Sequence, residues 1–349
     1  MKNEIFVYIN LSGKNYFVGR LWTNEKKGKE KAVFEYSKKW LENPISMSLE
    51  PALTLGQGKF FTDKALFGSI GDSAPDRWGR MLMDRMEIKR AKNENRSPKK
   101  LLESDYLLMV DDKSRQGALR FSTDEQGPFL ANYSKSSIPP LVNLKKILSL
   151  TYKVITKKEN NQELQDIFEP GSSLGGARPK ATVKDGNTLL IAKFPSPKED
   201  YDIELWEYIA LKLAKEAGLN VPDFGLHNVS GKNILLLNRF DRFGYNRTPF
   251  LSAMSMLGVS DGDKASYLEI AEALMIYGHK PEYDLQELWK RIVFNILVSN
   301  FDDHLRNHGF LYNPQNNGWE LSPLYDLEPL PLEKKPRFLQ TSIDLENND

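Results

Sequence analysis

An aspartate, an asparagine five positions later and a second aspartate nineteen residues beyond that is a spacing that can carry phosphoryl transfer. The run Asn300-Phe301-Asp302-Asp303-His304-Leu305-Arg306-Asn307 supplies the first pair, and Ser322-Pro323-Leu324-Tyr325-Asp326 the second carboxylate. In that chemistry one carboxylate receives the proton of an attacking hydroxyl. An amide oxygen and another carboxylate hold the metal that bridges the nucleotide phosphates. Asp302 has the five-residue offset from Asn307 and Asp303 does not, which favours Asp302 as base, although the two stand side by side. His304 could bond the loop or a phosphate, or act as a local cap. Aspartate and asparagine also crowd polar turns for purely conformational reasons, so no member of this set is decisive alone.

Lys193 ends the apolar run Leu189-Leu190-Ile191-Ala192. A lysine so placed can reach nucleotide phosphates while paired with a carboxylate on the following helix, where Glu204 and Glu207 are the candidates. Upstream, Gly171 to Lys180 is a glycine-rich turn in which Ser173, Gly175 and Gly176 would offer backbone N–H groups to phosphates. The Walker spacing of a P-loop is absent, as is the Gly-x-Ser-x-Gly turn of serine hydrolases. The histidines at 227, 279, 304 and 308 lack a third ligand at metal-site spacing.

These groups need elements to hold them in order. The pattern predicts strands over 181–184 and 188–194 around an Asp185-Gly186 turn, a helix over 203–217 stopped by Gly218 and Pro222, and a strand over 233–240. A helix over 284–300 follows, with Asp284 and Glu287 as a capping box. Leu285, Leu288, Trp289, Ile292, Ile296 and Leu297 share one of its faces. Glycine-rich hairpin, strand with lysine, helix with glutamate, strand, helices, catalytic loop and metal aspartate is the order of a protein-kinase-like core, an α+β fold. Ahead of it, residues 4–24 read as strand, turn, strand, residues 76–86 and 101–110 as helices, and 115–121 as a turn into a strand. The lysine- and arginine-rich stretch 89–100 reads as an exposed loop, and 133–140 as a boundary loop. The division expected is 1–140 and 141–349.

Composition narrows the remaining classes. The chain has 349 residues, 48 basic against 47 acidic, so direct nucleic-acid binding through a basic surface is disfavoured and any DNA contact is expected through a partner. The absence of cysteine excludes disulfides and thiolate chemistry and allows a reducing compartment. No apolar run approaches a membrane span or a signal peptide, so the expected location is cytoplasmic.

Several segments taken together resemble the HipA family of bacterial toxin kinases. They are Phe67-Gly-Ser-Ile-Gly-Asp-Ser-Ala-Pro-Asp-Arg-Trp-Gly-Arg80, Asp111-Asp-Lys-Ser-Arg-Gln-Gly-Ala-Leu-Arg-Phe121 and Ser173-Leu-Gly-Gly-Ala-Arg-Pro-Lys-Ala181, with Gly218-Leu-Asn-Val-Pro222, Asn238-Arg-Phe-Asp-Arg242, Asp302 to Asn307 and Leu324-Tyr-Asp326. The resemblance implies an N-terminal β-rich α/β subdomain before the kinase-like core, and serine/threonine kinase activity with ATP and Mg2+. By motif, Asp302 becomes the base, Asn307 and Asp326 the magnesium ligands, and Lys193 the ATP lysine. Ser173, Leu174, Gly175, Gly176, Ala177 and His304 fall around the nucleotide, with Asn238 and Phe240 beside the adenine. The family autophosphorylates a loop serine, matched by Ser173 with Ser172 adjacent. A phosphate there adds about two negative charges where the ATP phosphates belong. The resemblance further implies a toxin–antitoxin system with a helix-turn-helix, HipB-like antitoxin that carries the DNA contact, and a protein substrate such as an aminoacyl-tRNA synthetase. Family members continue for several helices beyond the metal aspartate, so the C-terminal helical part is expected to be short here. The alternatives are a small-molecule phosphotransferase and a non-catalytic module that binds the antitoxin.

Overall fold

The computed structural model describes residues 2–131, 138–171, 176–244, 246–331, 333 and 338–344. Alternating apolar residues pair β1 (Lys2–Leu11) antiparallel with β2 (Lys14–Lys26) through a tight turn. Ser12 and Gly13 there both take positive φ, as a hairpin turn of matching twist requires. β3 (Lys29–Tyr36) continues the meander, and after α1 (Lys38–Leu41) comes β4 (Lys59–Thr62). Helices α2 (Gly68–Gly71), α3 (Arg77–Asn93) and α4 (Glu103–Met109) lead to β5 (Leu119–Ser122), which closes a five-stranded sheet of order β4-β3-β2-β1-β5. Helix α3 runs well past the predicted residue 86, so the first part of the basic stretch 89–100 is helical rather than looped. Its charges are matched by neighbours: Arg96 meets Glu87 at 2.6 Å and Lys99 meets Asp105 at 2.7 Å.

Next come α5 (Leu144–Ile155), α6 (Asn161–Gly171), β6 (Lys180–Asp185), β7 (Thr188–Lys193), α7 (Ile203–Glu216), β8 (Phe224–Val229) and β9 (Lys232–Asn238). The four strands form an antiparallel sheet of order β6-β7-β9-β8. Its two faces follow the strand period. Ile234 and Leu236 join Val183 and Ala192 against α3, α5 and α6, while Leu235 and Leu237 pack on α7 with Leu324 and Leu327. After the short strands β10 (Arg242–Phe243) and β11 (Asn246–Arg247), the chain forms β12 (Phe250–Ser252), α8 (Ala253–Met256), α9 (Tyr267–Tyr277), α10 (Pro281–Val298), β13 (Gly309–Asn313) and β14 (Gly318–Leu321). The last strands make a small sheet of order β12-β13-β14. One core spans both ends of the chain: Ile5, Val7 and Phe34 of the N-terminal sheet share a buried cluster with Met256, Tyr267 and Leu288. Among the described residues, no helix is long and apolar enough to cross a membrane.

Helix α10 departs from the pattern read in the sequence. It starts at Pro281, one turn early, because proline suits a first turn where its missing N–H is not needed. Asp284 and Glu287 therefore lie inside the helix and form no capping box. The buried stripe is Asp284, Glu287, Leu288, Arg291 and Asn295, while Trp289 and Leu297 of the expected apolar face are 66% and 76% exposed. Polar residues take the buried face because they tie three segments together. The Arg291 guanidinium, wholly buried, donates to Glu287 at 3.0 Å and to the Ser322 carbonyl at 2.7 Å, and Glu287 accepts the Asn220 N–H at 3.1 Å. Ser322 opens the segment that carries Asp326. Removing one partner of a buried ion pair leaves the other charge stranded, so Arg291→Ala should lower the unfolding free energy by about 3–5 kcal/mol. Urea denaturation followed by circular dichroism reads this directly, and a loss below about 1 kcal/mol would show the pair to be dispensable.

Candidate active site

A cavity of about 400 Å³ opens between the four-stranded sheet, the loop after α10 and the start of α3. The strand period decides which β7 side chains reach it. Leu190 and Ala192 turn into the core, whereas Ile191 and Lys193 turn to the cavity side. The Lys193 ammonium bonds both carboxylate oxygens of Glu207, at 2.7 and 2.8 Å, and one oxygen of Asp326. Of the two glutamates open to Lys193 in the sequence, α7 thus presents Glu207. Burial pulls the Lys193 ammonium down, but Asp326 and Glu207 outweigh it and hold it above its ordinary value. Burial pushes Asp326 up, and Lys193 and Lys180 override it, holding its carboxyl well below the usual range. Asp326 itself has a φ of +59°, a left-handed conformation that costs a non-glycine residue. Glu328, two residues on, brings a carboxylate oxygen within 4.8 Å of Glu207 and Asp326; burial and Asp326 push it up to about 7.

The loop after α10 is built from its own polar side chains. Ser299 ends the helix at a φ of +62°. Buried Asn300 donates to Asn295 at 3.0 Å and accepts the Glu328 N–H at 3.1 Å, which joins the loop to the segment around Asp326. Asp302 stands exposed. Asp303 is buried, and its Oδ2 is bonded by both the Tyr267 hydroxyl at 2.5 Å and His308 Nε2 at 2.8 Å, so it supports the loop from beneath. Asn307 lines the cavity. Its Nδ2 donates to the Asp302 carbonyl at 3.2 Å, which leaves Oδ1 as the atom it can offer a cation. His304 also lines the cavity.

Asn238 and Phe240 lie on the opposite wall. The Asn238 N–H donates to the Asp223 carbonyl at 2.8 Å, and Phe240 packs against Tyr325 with ring centres 5.5 Å apart. Of the glycine-rich turn, Ser172, Ser173, Leu174 and Gly175 lie outside the described residues. Gly176 lines the cavity at a φ of +86°, and Ala177 is exposed without lining it. Lys180 was not singled out as a site residue in the sequence. It is buried beneath Gly176, where a Cβ on that glycine would meet its ammonium, and burial draws that ammonium below its ordinary value. Its signal was available: it ends the glycine-rich turn, four residues after Gly176, and is the first residue of β6. Asp76 and Arg306 line the same cavity from distant parts of the chain, and no local pattern pairs them.

Comparison with known proteins places this arrangement. The model of the HipA-like C-terminal domain matches residues 172–349, half of the chain, and that of the HipA N-terminal domain matches residues 9–104. The chain belongs to the HipA family. A HipA structure from Shewanella oneidensis, solved within a toxin–antitoxin complex of HipA, HipB and operator DNA, superposes with a TM-score of 0.66 at 19% identity, covering 98% of this chain and 80% of that one. At that identity the likeness establishes the HipA fold. A Haemophilus influenzae protein that carries the provisional name of kinase is 28% identical over 45% of this chain and 52% of its own length. The serine/threonine-protein kinase CtkA of Helicobacter pylori is 26% identical over 46% of this chain and 52% of its own. The match thus spans about half the length of these two curated relatives.

In this HipA-family cleft, Lys193→Met would remove the ammonium bonded to Glu207 and Asp326 and leave them only the weaker pull of Lys180. A buried carboxyl whose folded value lies above its unfolded one is favoured in its protonated form, so the variant should recover as the pH falls. The expected deficit against wild type is about 3 kcal/mol at pH 8 and clearly smaller at pH 5. Paired urea titrations at the two pH values check this, and a deficit independent of pH would contradict the charge pairing.

Proposed function

We propose that this HipA-family chain is an ATP- and Mg2+-dependent serine/threonine protein kinase, the toxin of a type II toxin–antitoxin system. The observation that supports this best is the convergence on one cleft of the Lys193–Glu207 pair, Asp326 and Asn307, with Asp302 on the same loop. These groups come from a strand, a helix and two loops, and each has the chemistry its role requires. The kinase names of the relatives support the same class of activity.

In this reading the adenine lies between Asn238, Phe240 and the apolar wall of Ile191 and Leu237, and the phosphates run toward Lys193, Lys180 and the glycine-rich turn. The donor set also fits a magnesium ion. Asn307 Oδ1 and the Asp326 carboxylate are hard oxygen ligands at the same end of the cleft, and Asp326 stays ionised across the physiological range because Lys193 and Lys180 surround it. Bound there, the ion would neutralise charge on the phosphates undergoing transfer. Asp302, exposed and free of the bonds that occupy Asp303, takes the proton of the incoming serine or threonine hydroxyl. Lys193, kept cationic by its two carboxylates, orients the phosphates. Asp303, Tyr267 and His308 hold the loop so that Asp302 stays at the surface.

Ser173, with Ser172 as its neighbour, is the proposed autophosphorylation site. The proposed partners are a HipB-like helix-turn-helix antitoxin, through which the operator is contacted, and a cytoplasmic protein substrate such as an aminoacyl-tRNA synthetase. The presence of HipB and operator DNA in the Shewanella complex supports the first of these. Incubation of the purified chain with labelled ATP and magnesium, followed by phosphosite mapping, tests the reading. Label is expected on Ser173 or Ser172, and Asp302→Asn should lower its rate by about 10³-fold or more while nucleotide still binds. Label appearing only on small hydroxylated metabolites would point to a small-molecule phosphotransferase. Tight antitoxin binding with no label at all would leave a non-catalytic binding module.

A further inference from the structure

Asp76 occupies the position that would cap α3, yet its side chain makes no capping bond to that helix. Both carboxylate oxygens are turned across the cleft instead. Oδ2 accepts the Gly176 N–H at 2.9 Å, and Oδ1 accepts from the Arg306 guanidinium at 2.9 Å. The next turn of α3 completes the hold on the glycine-rich segment: the Trp78 N–H donates to the Gly176 carbonyl at 3.2 Å, and Trp78 Nε1 donates to the Lys180 carbonyl at 3.0 Å. Gly176 therefore has both its backbone polar groups bound by the start of α3. Arg306 immediately precedes Asn307, is held by the Tyr325 hydroxyl at its carbonyl (2.6 Å), and sends its other arm to Asp261 at 2.8 Å. One carboxylate from the N-terminal half thus touches the phosphate side of the cleft with one oxygen and the catalytic loop with the other.

We propose that Asp76 is a positioning residue for phosphoryl transfer, setting the separation between Gly176 and the catalytic loop across the nucleotide site. The inference rests on the kinase reading above and adds a role for the Pro75-Asp76-Arg77-Trp78 segment, which that reading leaves without one. A helix that forgoes its own cap loses a local stabilisation. The loss is offset by a clasp between two segments one hundred residues and more apart in sequence. Because both bonds meet at one carboxylate, displacing the start of α3 displaces both walls together.

The full-length chain is compared with Asp76→Ala, Asp76→Asn, Arg306→Gln and the double variant Asp76→Ala/Arg306→Gln. Two readouts are used: calorimetric titration with Mg-ATP and amide hydrogen exchange of residues 176–184 and 302–308. Asp76→Ala should weaken Mg-ATP binding by about tenfold, since misplacement of a phosphate-binding segment is costly, and should speed exchange in both segments. Asp76→Asn keeps an acceptor for Gly176 and should bring affinity back to within about threefold of wild type, while exchange around Arg306 stays fast because a charge-assisted bond has been lost. The double variant should bind no more weakly than the worse single one, the signature of two residues acting through one contact. Losses that multiply in the double variant would overturn the proposal. So would a general fall in stability that Asp76→Asn does not rescue, because Asp76 would then be only a structural residue. If wild type binds Mg-ATP and Asp76→Ala binds it equally well, the role of Asp76 falls and the kinase reading stands. If wild type binds no Mg-ATP, the kinase reading falls and takes this role with it.

Discussion

The cleft depends on a cluster of buried guanidinium groups where the strand bearing Asn238 leaves the four-stranded sheet. Asp241 accepts from Arg239 and Arg242 and also from the Gly117 N–H, at 2.7, 2.9 and 2.8 Å. The two arginines reach on to the carbonyls of Ser114, Arg115 and Gly117. Beside them Arg115, wholly buried, donates to the carbonyls of Ser73 and Val110 at 3.0 Å, and burial draws it down to about 10. Arg247 and Arg120 share Asp112. Removing so many charges from water is tolerated only where nearly every donor finds an oxygen, and here the oxygens and donors come from both chain halves and tie one to the other. The wall carrying Asn238 and Phe240 inherits its position from that constraint.

This explains why segments far apart in sequence look like one signature. Asp111 to Phe121 and Asn238 to Arg242 are two sides of the same ionic cluster, and Phe67 to Arg80 carries the buried turn that meets Arg115 as well as the residue that bridges the cleft. The N-terminal half is therefore not an appendage to the kinase-like part. Its sheet shares a core with α9 and α10, its α3 and α4 cover the outer face of the four-stranded sheet, and its Asp76 lines the cavity.

Much of this was legible before the structure. The strands around Asp185-Gly186, helix α7 and the first hairpin carry strong periodic and turn signals and lie where those signals put them. The candidate residues Asp302, Asn307 and Asp326 could be picked out together because their offsets are local, and the fold brings Asn307 and Asp326 to one cavity. What escaped were properties set by tertiary contact. Asp284 and Glu287 imitate a cap in one dimension, yet Pro281 starts the helix earlier and Arg291 draws Glu287 into the interior. Asp302 and Asp303 are equivalent in type, and only the burial of Tyr267 and His308 under the loop separates an exposed carboxylate from an engaged one. Lys180 and Asp76 acquire their places from a fold-wide approach that no short window contains.

The left-handed backbone at Asp326 has a consequence for how this protein can change. Glycine would relieve the local strain, and it would delete the carboxylate that Lys193 and Lys180 surround. Asparagine would keep the conformation at modest strain but lose the charge. Every substitution that eases the backbone thus removes something the cleft uses. Backbone ease and the charge pairing with Lys193 therefore pull in opposite directions at this one residue. A change to glycine there would ease the backbone and cost the cleft its ion pair with Lys193 in the same step.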